Sequence, residues 1–265
     1  MRFFVFSTMK AGTMFLHKLL EEIATEGHIN HYSLNYPKDH SHHLPSENTS
    51  NLTEHVNQEG YYGPFRHYFP IDNPEDARII LHFRDPRDVL TSMYFYQAYH
   101  QKHIPEEVRQ TYIKRGIDQF VFSPRLPESA SWMDRTKHNV RRALKLDRPP
   151  TMTEWFLKDY DQYFQNYVPL EQTTVVTYEE MVTNFSGWLP KFLDALDLGD
   201  QPQLLETLLA HHQDSFVPPK PQAEGKVMHK RKIVPGDHKN QMSSRTITQL
   251  NQLFSKQLST LGYEM

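Results

Sequence analysis

The chain has 265 residues, 38% of them hydrophobic, with a formal charge of -3 and a pI near 6.6, which excludes a disordered or fibrous polymer and counts against non-specific nucleic-acid binding. Cysteine is absent, so disulfides, thiolate nucleophiles and Cys-ligated metals are all excluded. No apolar run approaches the ~20 residues of a membrane helix, and the first residues lack the apolar core and cleavage site of a signal peptide. The expectation is therefore a cytoplasmic protein without membrane insertion, folded as a single domain over residues 1–265.

Arg2-Phe-Phe-Val-Phe-Ser7 has the length and apolarity of a strand. It runs into Thr8-Met-Lys-Ala-Gly-Thr13, a turn carrying a lysine, a glycine and a hydroxyl, and then into a helix on which Leu16, Leu19, Leu20, Ile23 and Ala24 share a face. Gly27 stands where that helix should stop. A second short strand is expected within 29–36, and 37–58, polar and without period, reads as a long loop. Its His40, His42 and His43 lack spaced carboxylate or Cys partners and read as solvated rather than metal-binding. Residues 60–70, aromatic and bracketed by Gly and Pro, suggest a strand end or turn. Arg78–Phe83 reads as a buried parallel strand, ending in Arg84-Asp-Pro-Arg-Asp88 before a helix that carries Val89, Leu90, Met93 and Tyr94.

Residues 94–167 read as helical with an excess of aromatics, which fits either ordinary core or a lid over an apolar acceptor pocket. Within it, Thr151-Met-Thr-Glu154 is a capping-box pattern. Thr173–Thr177 predicts another short buried strand, followed by Tyr178-Glu-Glu-Met181. Helices are predicted over 188–198, ended by Gly199, over 202–212, opened by Pro202, and over 244–261; residues 213–238 have no period and contain a basic cluster, His229–Lys232. Strands alternating with helices predict a three-layer α/β/α sandwich around a mainly parallel sheet.

Both strand-to-helix junctions set charges at the carboxyl end of a strand, where open α/β sheets bind ligands. Lys10 with Gly12 and Thr13 can cradle one phosphate. Arg84 and Ser92, eight residues apart, can hold another by a forked guanidinium and a hydroxyl. Arg231-Lys232 and Gly236–Asn240 add cations from a late loop spanning 213–240. Singly each feature has a bland reading, Arg84 pairing with Asp88 and the basic run solvated; jointly they form a polyanion clamp.

The motifs resemble those of the sulfotransferases that use 3′-phosphoadenosine 5′-phosphosulfate (PAPS). That family's first loop, Pro-Lys-Ser-Gly-Thr-Thr-Trp, is matched by Met9-Lys-Ala-Gly-Thr-Met-Phe15, and its Arg-Asn/Asp-Pro-basic-Asp element by Arg84–Asp88 with Ser92. Its late Arg-Lys-Gly element ending in Gly-Asp-Trp-Lys-Asn resembles Arg231–Asn240, and its Ser-Phe and Tyr-Glu-Asp-Met resemble Ser215-Phe216 and Tyr178-Glu-Glu-Met181. The matches run in the family's order over nearly the whole chain. The resemblance implies a P-loop-like sulfotransferase fold, with Lys10, Ala11, Gly12 and Thr13 around the 5′-phosphosulfate and Lys10 neutralising charge on the bridging oxygen. It also implies Met14 in place of a Thr, Phe15 in place of a Trp near the adenine, Arg84, Ser92, Arg231 and Lys232 toward the 3′-phosphate, and Phe216 and Tyr178 on the base. Ile233 replaces a glycine of the family's late loop.

Sulfuryl transfer of this kind needs in-line positioning, charge neutralisation and a proton acceptor, and no metal is expected. The partner implied is a small-molecule, lipid or glycoside acceptor with a hydroxyl; a homodimer is compatible with it. The family's histidine base aligns with Tyr62, leaving Tyr62 and the nearby His67 as candidate bases, His67 the better matched in ordinary pKa. The rival readings are a kinase using Mg-ATP, which the missing Gly-Lys-Ser/Thr disfavours, and a non-catalytic nucleotide-binding protein.

Overall fold

The computed structural model describes residues 1–32, 58–101, 104–124, 149–217 and 233–265. These form two compact units, Met1–Arg84 with Asp161–Val217 and Asp85–Tyr160 with Pro218–Met265.

The first unit holds the sheet. Its strands are β1 (Arg2–Ser7), β2 (His31–Tyr32), β3 (Gly60–Phe65), β4 (Ala77–Phe83) and β5 (Thr173–Thr177), in the order β2-β3-β1-β4-β5 and all parallel. Alternation along β1 explains the two faces. Phe3 and Val5 point with Tyr61 and Ile80 into a cluster closed by Leu16, Leu20 and Ile23 of α1 (Thr13–Glu26) and by Trp188, Phe192 and Leu208. The latter three come from α6 (Phe185–Ala195) and α7 (Pro202–His212), which follow the short α5 (Tyr178–Thr183). On the opposite face Phe6 meets Phe69, Tyr163 and Tyr167 at centroid distances of 5.2, 5.5 and 5.4 Å, and Phe83 meets Tyr163 at 5.7 Å. Helix, sheet and helix therefore stack as expected, and much of the aromatic excess is core.

β3 departs from its expectation. The stretch from Gly60 is a full, buried strand between β2 and β1, because its glycines fit where a side chain would not. A Cβ on Gly60 would lie 2.6 Å from the Asn30 carbonyl oxygen and one on Gly63 2.3 Å from that of Val5, and both residues have positive φ, +149° and +118°. β5 is an edge strand, with Val176 buried and Val175 39% exposed. α1 stops at Gly27 as expected; Gly27 itself is right-handed, and the left-handed residue is His28. Helix α6 begins earlier than predicted, at Phe185, because Asn184 Oδ1 accepts the Gly187 N–H at 3.2 Å and caps it. α7 begins at Pro202 as read.

In the second unit, α2 (Pro86–Phe95) is capped by Asp85, whose Oδ1 accepts from Arg87 N at 2.9 Å. α3 (Glu106–Val121) is kinked at Gly116, and α4 (Met152–Asn166), which runs on into the first unit, opens with the capping box: Glu154 N donates to Thr151 Oγ1 at 3.1 Å while Thr151 N donates to Glu154 Oε2 at 2.7 Å. After α8 (His238–Gln241), the single C-terminal helix expected is two, α9 (Ser244–Leu253) and α10 (Ser255–Thr260), with Phe254 buried at the break. The loop expected over 37–58 and the basic cluster ending at Lys232 fall outside the described residues, apart from Gln58.

Candidate functional site

β1 lies between β3 and β4, and the carboxyl end of such a central strand is where open parallel sheets bind ligands. The turn there is shaped by two left-handed residues, Lys10 at φ +63° and Gly12 at φ +79°. A lysine rarely adopts this region, and such strain concentrates at ligand sites. Gly12 is required by proximity: a Cβ there would be 3.1 Å from Met181 Cε and 3.4 Å from the Tyr178 ring. Gly12 is also the N-cap of α1 and makes no side-chain cap, so the amide end of the helix faces the turn. Thr13 is buried, its Oγ1 3.2 Å from Ser7 Oγ, while Ala11 is fully buried. Met14 is 49% exposed and its sulfur lies 3.9 Å from Arg66 Nη2.

The adjacent strand braces this turn from beneath. His82 Nε2 is 3.0 Å from the Ala11 carbonyl oxygen, an acceptor, so Nε2 carries the proton. Burial drives the pKa of His82 down to about 3, and it stays neutral. Arg84 Nη1 donates to the Lys10 carbonyl oxygen at 2.6 Å, and its guanidinium stacks 4.3 Å above the Tyr178 ring. Burial first, then the charges of Arg84 and Arg66, pull the Lys10 ammonium from the ordinary 10.5 to about 8. Three cations thus crowd the carboxyl ends of β1, β3 and β4. Nearby, Phe15 meets Phe216 edge-on at 4.8 Å and His212 at 5.1 Å, and Phe185 completes an aromatic wall.

The structure thus brings together Lys10–Phe15, Arg84, Tyr178 and the more distant Phe216 within the first unit. Ser92 lies on α2 in the second unit, half-buried, and Arg231 and Lys232 fall outside the described residues. Asp88 has partners of its own within the second unit. Asp88 is buried and accepts from Gly236 N at 2.6 Å and His238 N at 2.9 Å, with His238 Nδ1 2.8 Å from its Oδ1. Asp85 chelates Arg87, whose Nη1 reaches Asn251 Oδ1 at 2.6 Å. Of the two carboxylates of this motif, Asp85 holds the Arg87 guanidinium and Asp88 the backbone at Gly236 and His238.

The two candidate bases differ sharply. Tyr62 is fully buried in β3, stacked between Phe4 and Tyr32, and donates its hydroxyl to the Gln58 carbonyl oxygen at 2.7 Å. Burial and the neighbouring Tyr32 raise its pKa further, away from a base's range. His67 is exposed just past the carboxyl end of β3, next to Arg66. Two contributors escaped the sequence reading: the contact of His82 with the turn, and the charge of Arg66 at Lys10. The signal for the first is a polar residue two positions before the strand-end arginine on the face of Ile80.

The sulfotransferase domain family model matches residues 1–262, and the chain belongs to that family. Among solved structures it is similar to the mouse sulfotransferase SULT7A1 complexed with PAP, at 17% identity and a TM-score of 0.58, covering 97% of this chain and 84% of that one. It is likewise similar to retinol dehydratase complexed with retinol and PAP, at 14% identity, TM-score 0.52, covering 97% and 81%. A third likeness is to retinol dehydratase with androsterone and PAP, at 15% identity, TM-score 0.51, covering 97% and 80%. These likenesses establish the shared fold. No curated protein matches the sequence. Among the described residues, no helix is long and apolar enough to cross a membrane.

Proposed function

We propose that the chain moves the sulfuryl group of PAPS to the hydroxyl of a small-molecule acceptor. The observation that carries this reading is the crowding of Lys10 by Arg84 and Arg66 in a buried, strained turn. Such a cation cluster is unfavourable when empty and is relieved by an anion. The acceptor oxygen attacks sulfur as the bond from sulfur to the bridging oxygen breaks, and the leaving nucleotide takes the electron pair as 3′,5′-ADP. Lys10 faces the charge growing on that oxygen, and the amide end of α1 supports the same phosphate. Arg84 is assigned to the 3′-phosphate and Tyr178 and Phe216 to the base, with Ser92, Arg231 and Lys232 assigned by their motifs alone. His67 takes the acceptor's proton, because Tyr62 is committed to the Gln58 carbonyl.

Turnover of labelled PAPS with a panel of hydroxylated acceptors tests the reading, together with nucleotide affinities. Arg84→Ala should erase the preference for 3′,5′-ADP over 5′-AMP, Lys10→Met should depress turnover more than product binding, and His67→Ala should keep binding while turnover falls about 10²- to 10⁴-fold. Tighter binding of Mg-ATP than of 3′,5′-ADP would sink the proposal.

A further inference from the structure

We propose that His17, Glu21 and His31 form a binding site for one divalent transition-metal ion of zinc's chemistry, separate from the donor turn. Helix α1 places His17 and Glu21 one turn apart on one face, with Nε2 and Oε1 3.3 Å from each other. Strand β2 brings His31 alongside, its ring centroid 5.6 Å from that of His17. The potential ligand atoms of all three residues lie within 4.8 Å of one another. Zinc bound at about 2.0–2.1 Å by imidazole draws its donors to within roughly 3.5 Å, a closure that side-chain rotation can supply.

The surroundings favour a metal over an ordinary ion pair. His31 Nε2 lies 2.8 Å from the Gly63 carbonyl oxygen, which can only accept, so the proton sits on Nε2 and the lone pair on Nδ1. A backbone carbonyl fixing the tautomer of a histidine is the usual outer support of a metal ligand. The His17 side chain is 12% exposed and Glu21 57%, so the carboxylate forms the solvent side, where a water completes four-coordination. Two imidazole nitrogens and one carboxylate are donors that suit zinc rather than calcium, which takes oxygen ligands. The ion would staple α1 to β2, a two-residue strand that, among the described residues, pairs with β3. No step of sulfuryl transfer passes through it.

The test is titration of the metal-stripped full chain with Zn²⁺ by calorimetry and with Co²⁺ by visible absorption. We expect one ion bound per chain with tetrahedral cobalt bands, and affinity at least about tenfold weaker in His17→Ala, His31→Ala and Glu21→Gln. Glu21 is exposed, so Glu21→Gln tests the site without threatening the fold. The combined His40→Ala, His42→Ala and His43→Ala variant should bind as the parent does. Absence of saturable binding, unchanged affinity in Glu21→Gln and His31→Ala, or loss of the ion in the triple variant would each overturn the proposal.

Discussion

Lys10 sits in a site that opposes its own charge, and the consequence can be measured. Its folded pKa, about 8, lies below the ordinary 10.5, so between those values the unfolded chain binds more protons and stability rises with pH. Below pH 8 the full cost is present, on the order of 3 kcal/mol. Lys10→Met should therefore stabilise the ligand-free chain at pH 7 by up to about that amount, a gain that fades as pH climbs toward 10.5. Denaturant melts at pH 7 and pH 10 check it. An anion beside Lys10 restores its pKa, so binding of 3′,5′-ADP near pH 8 should take up a fraction of a proton, read by calorimetry in two buffers of different ionisation heat, and Lys10→Met should abolish the uptake. His82 has the same sign at lower pH. Its folded pKa of about 3 lies below the ordinary 6.5, so the stability it supports is lost as pH falls from 6.5 toward 3, eventually on the order of 5 kcal/mol. His82→Gln keeps a donor for the Ala11 carbonyl and should flatten acid unfolding between pH 6 and pH 4. The turn that carries Lys10 was legible because an apolar run of strand length precedes it and a helical period follows it. His82 was not, because the residue it supports is 71 positions away in the chain.

At the scale of elements, β3 shows what patterning misses. Periodicity reads side chains, whereas this strand is fixed by where side chains must be absent. Gly63→Ala would place a Cβ 2.3 Å from the Val5 carbonyl oxygen at φ +118°, and should cost at least about 3 kcal/mol through broken pairing with β1. Gly116→Ala is the matched control: φ +67° with ψ 172° is backbone essentially confined to glycine, but nothing lies within 4 Å of the new methyl, so about 1–3 kcal/mol of backbone strain is the whole expected cost. Urea midpoints of the two variants separate close approach from backbone strain; equal losses would mean that β3 tolerates displacement. α1, β4, α7 and the capping box of α4 were readable because apolar period and end residues agree there. The break at Phe254 was not, since Leu250, Phe254 and Leu258 keep helical spacing across it while the backbone at Phe254 leaves the helix. The Asp88 contacts were hidden for another reason: they join residues 148 and 150 positions apart.

For the molecule as a whole, the family and its donor were legible in sequence order and the acceptor was not, and the asymmetry is chemical. Phosphates demand cations, a tight turn and a helix end at fixed spacing, and these leave marks in sequence order. An acceptor's apolar body can be met by many combinations of aromatic residues, most of which here serve the core around Phe6 and Phe83. The whole-chain consequence is a ligand-dependent stability without a divalent ion. The cations around the turn at Lys10 are side chains, Lys10, Arg66 and Arg84, so the expected donor nucleotide needs no bridging ion there. A ligand at a hundredfold excess over its dissociation constant that binds only the folded chain adds about 2.7 kcal/mol. For a chain of 265 residues this corresponds to a rise in Tm of about 5–10 °C. We expect 3′,5′-ADP to give this shift equally with Mg²⁺ and with a chelator, and Arg84→Ala to reduce it to that of 5′-AMP. A shift that needs Mg²⁺, or that is larger for ATP, would point instead to phosphoryl chemistry on this fold.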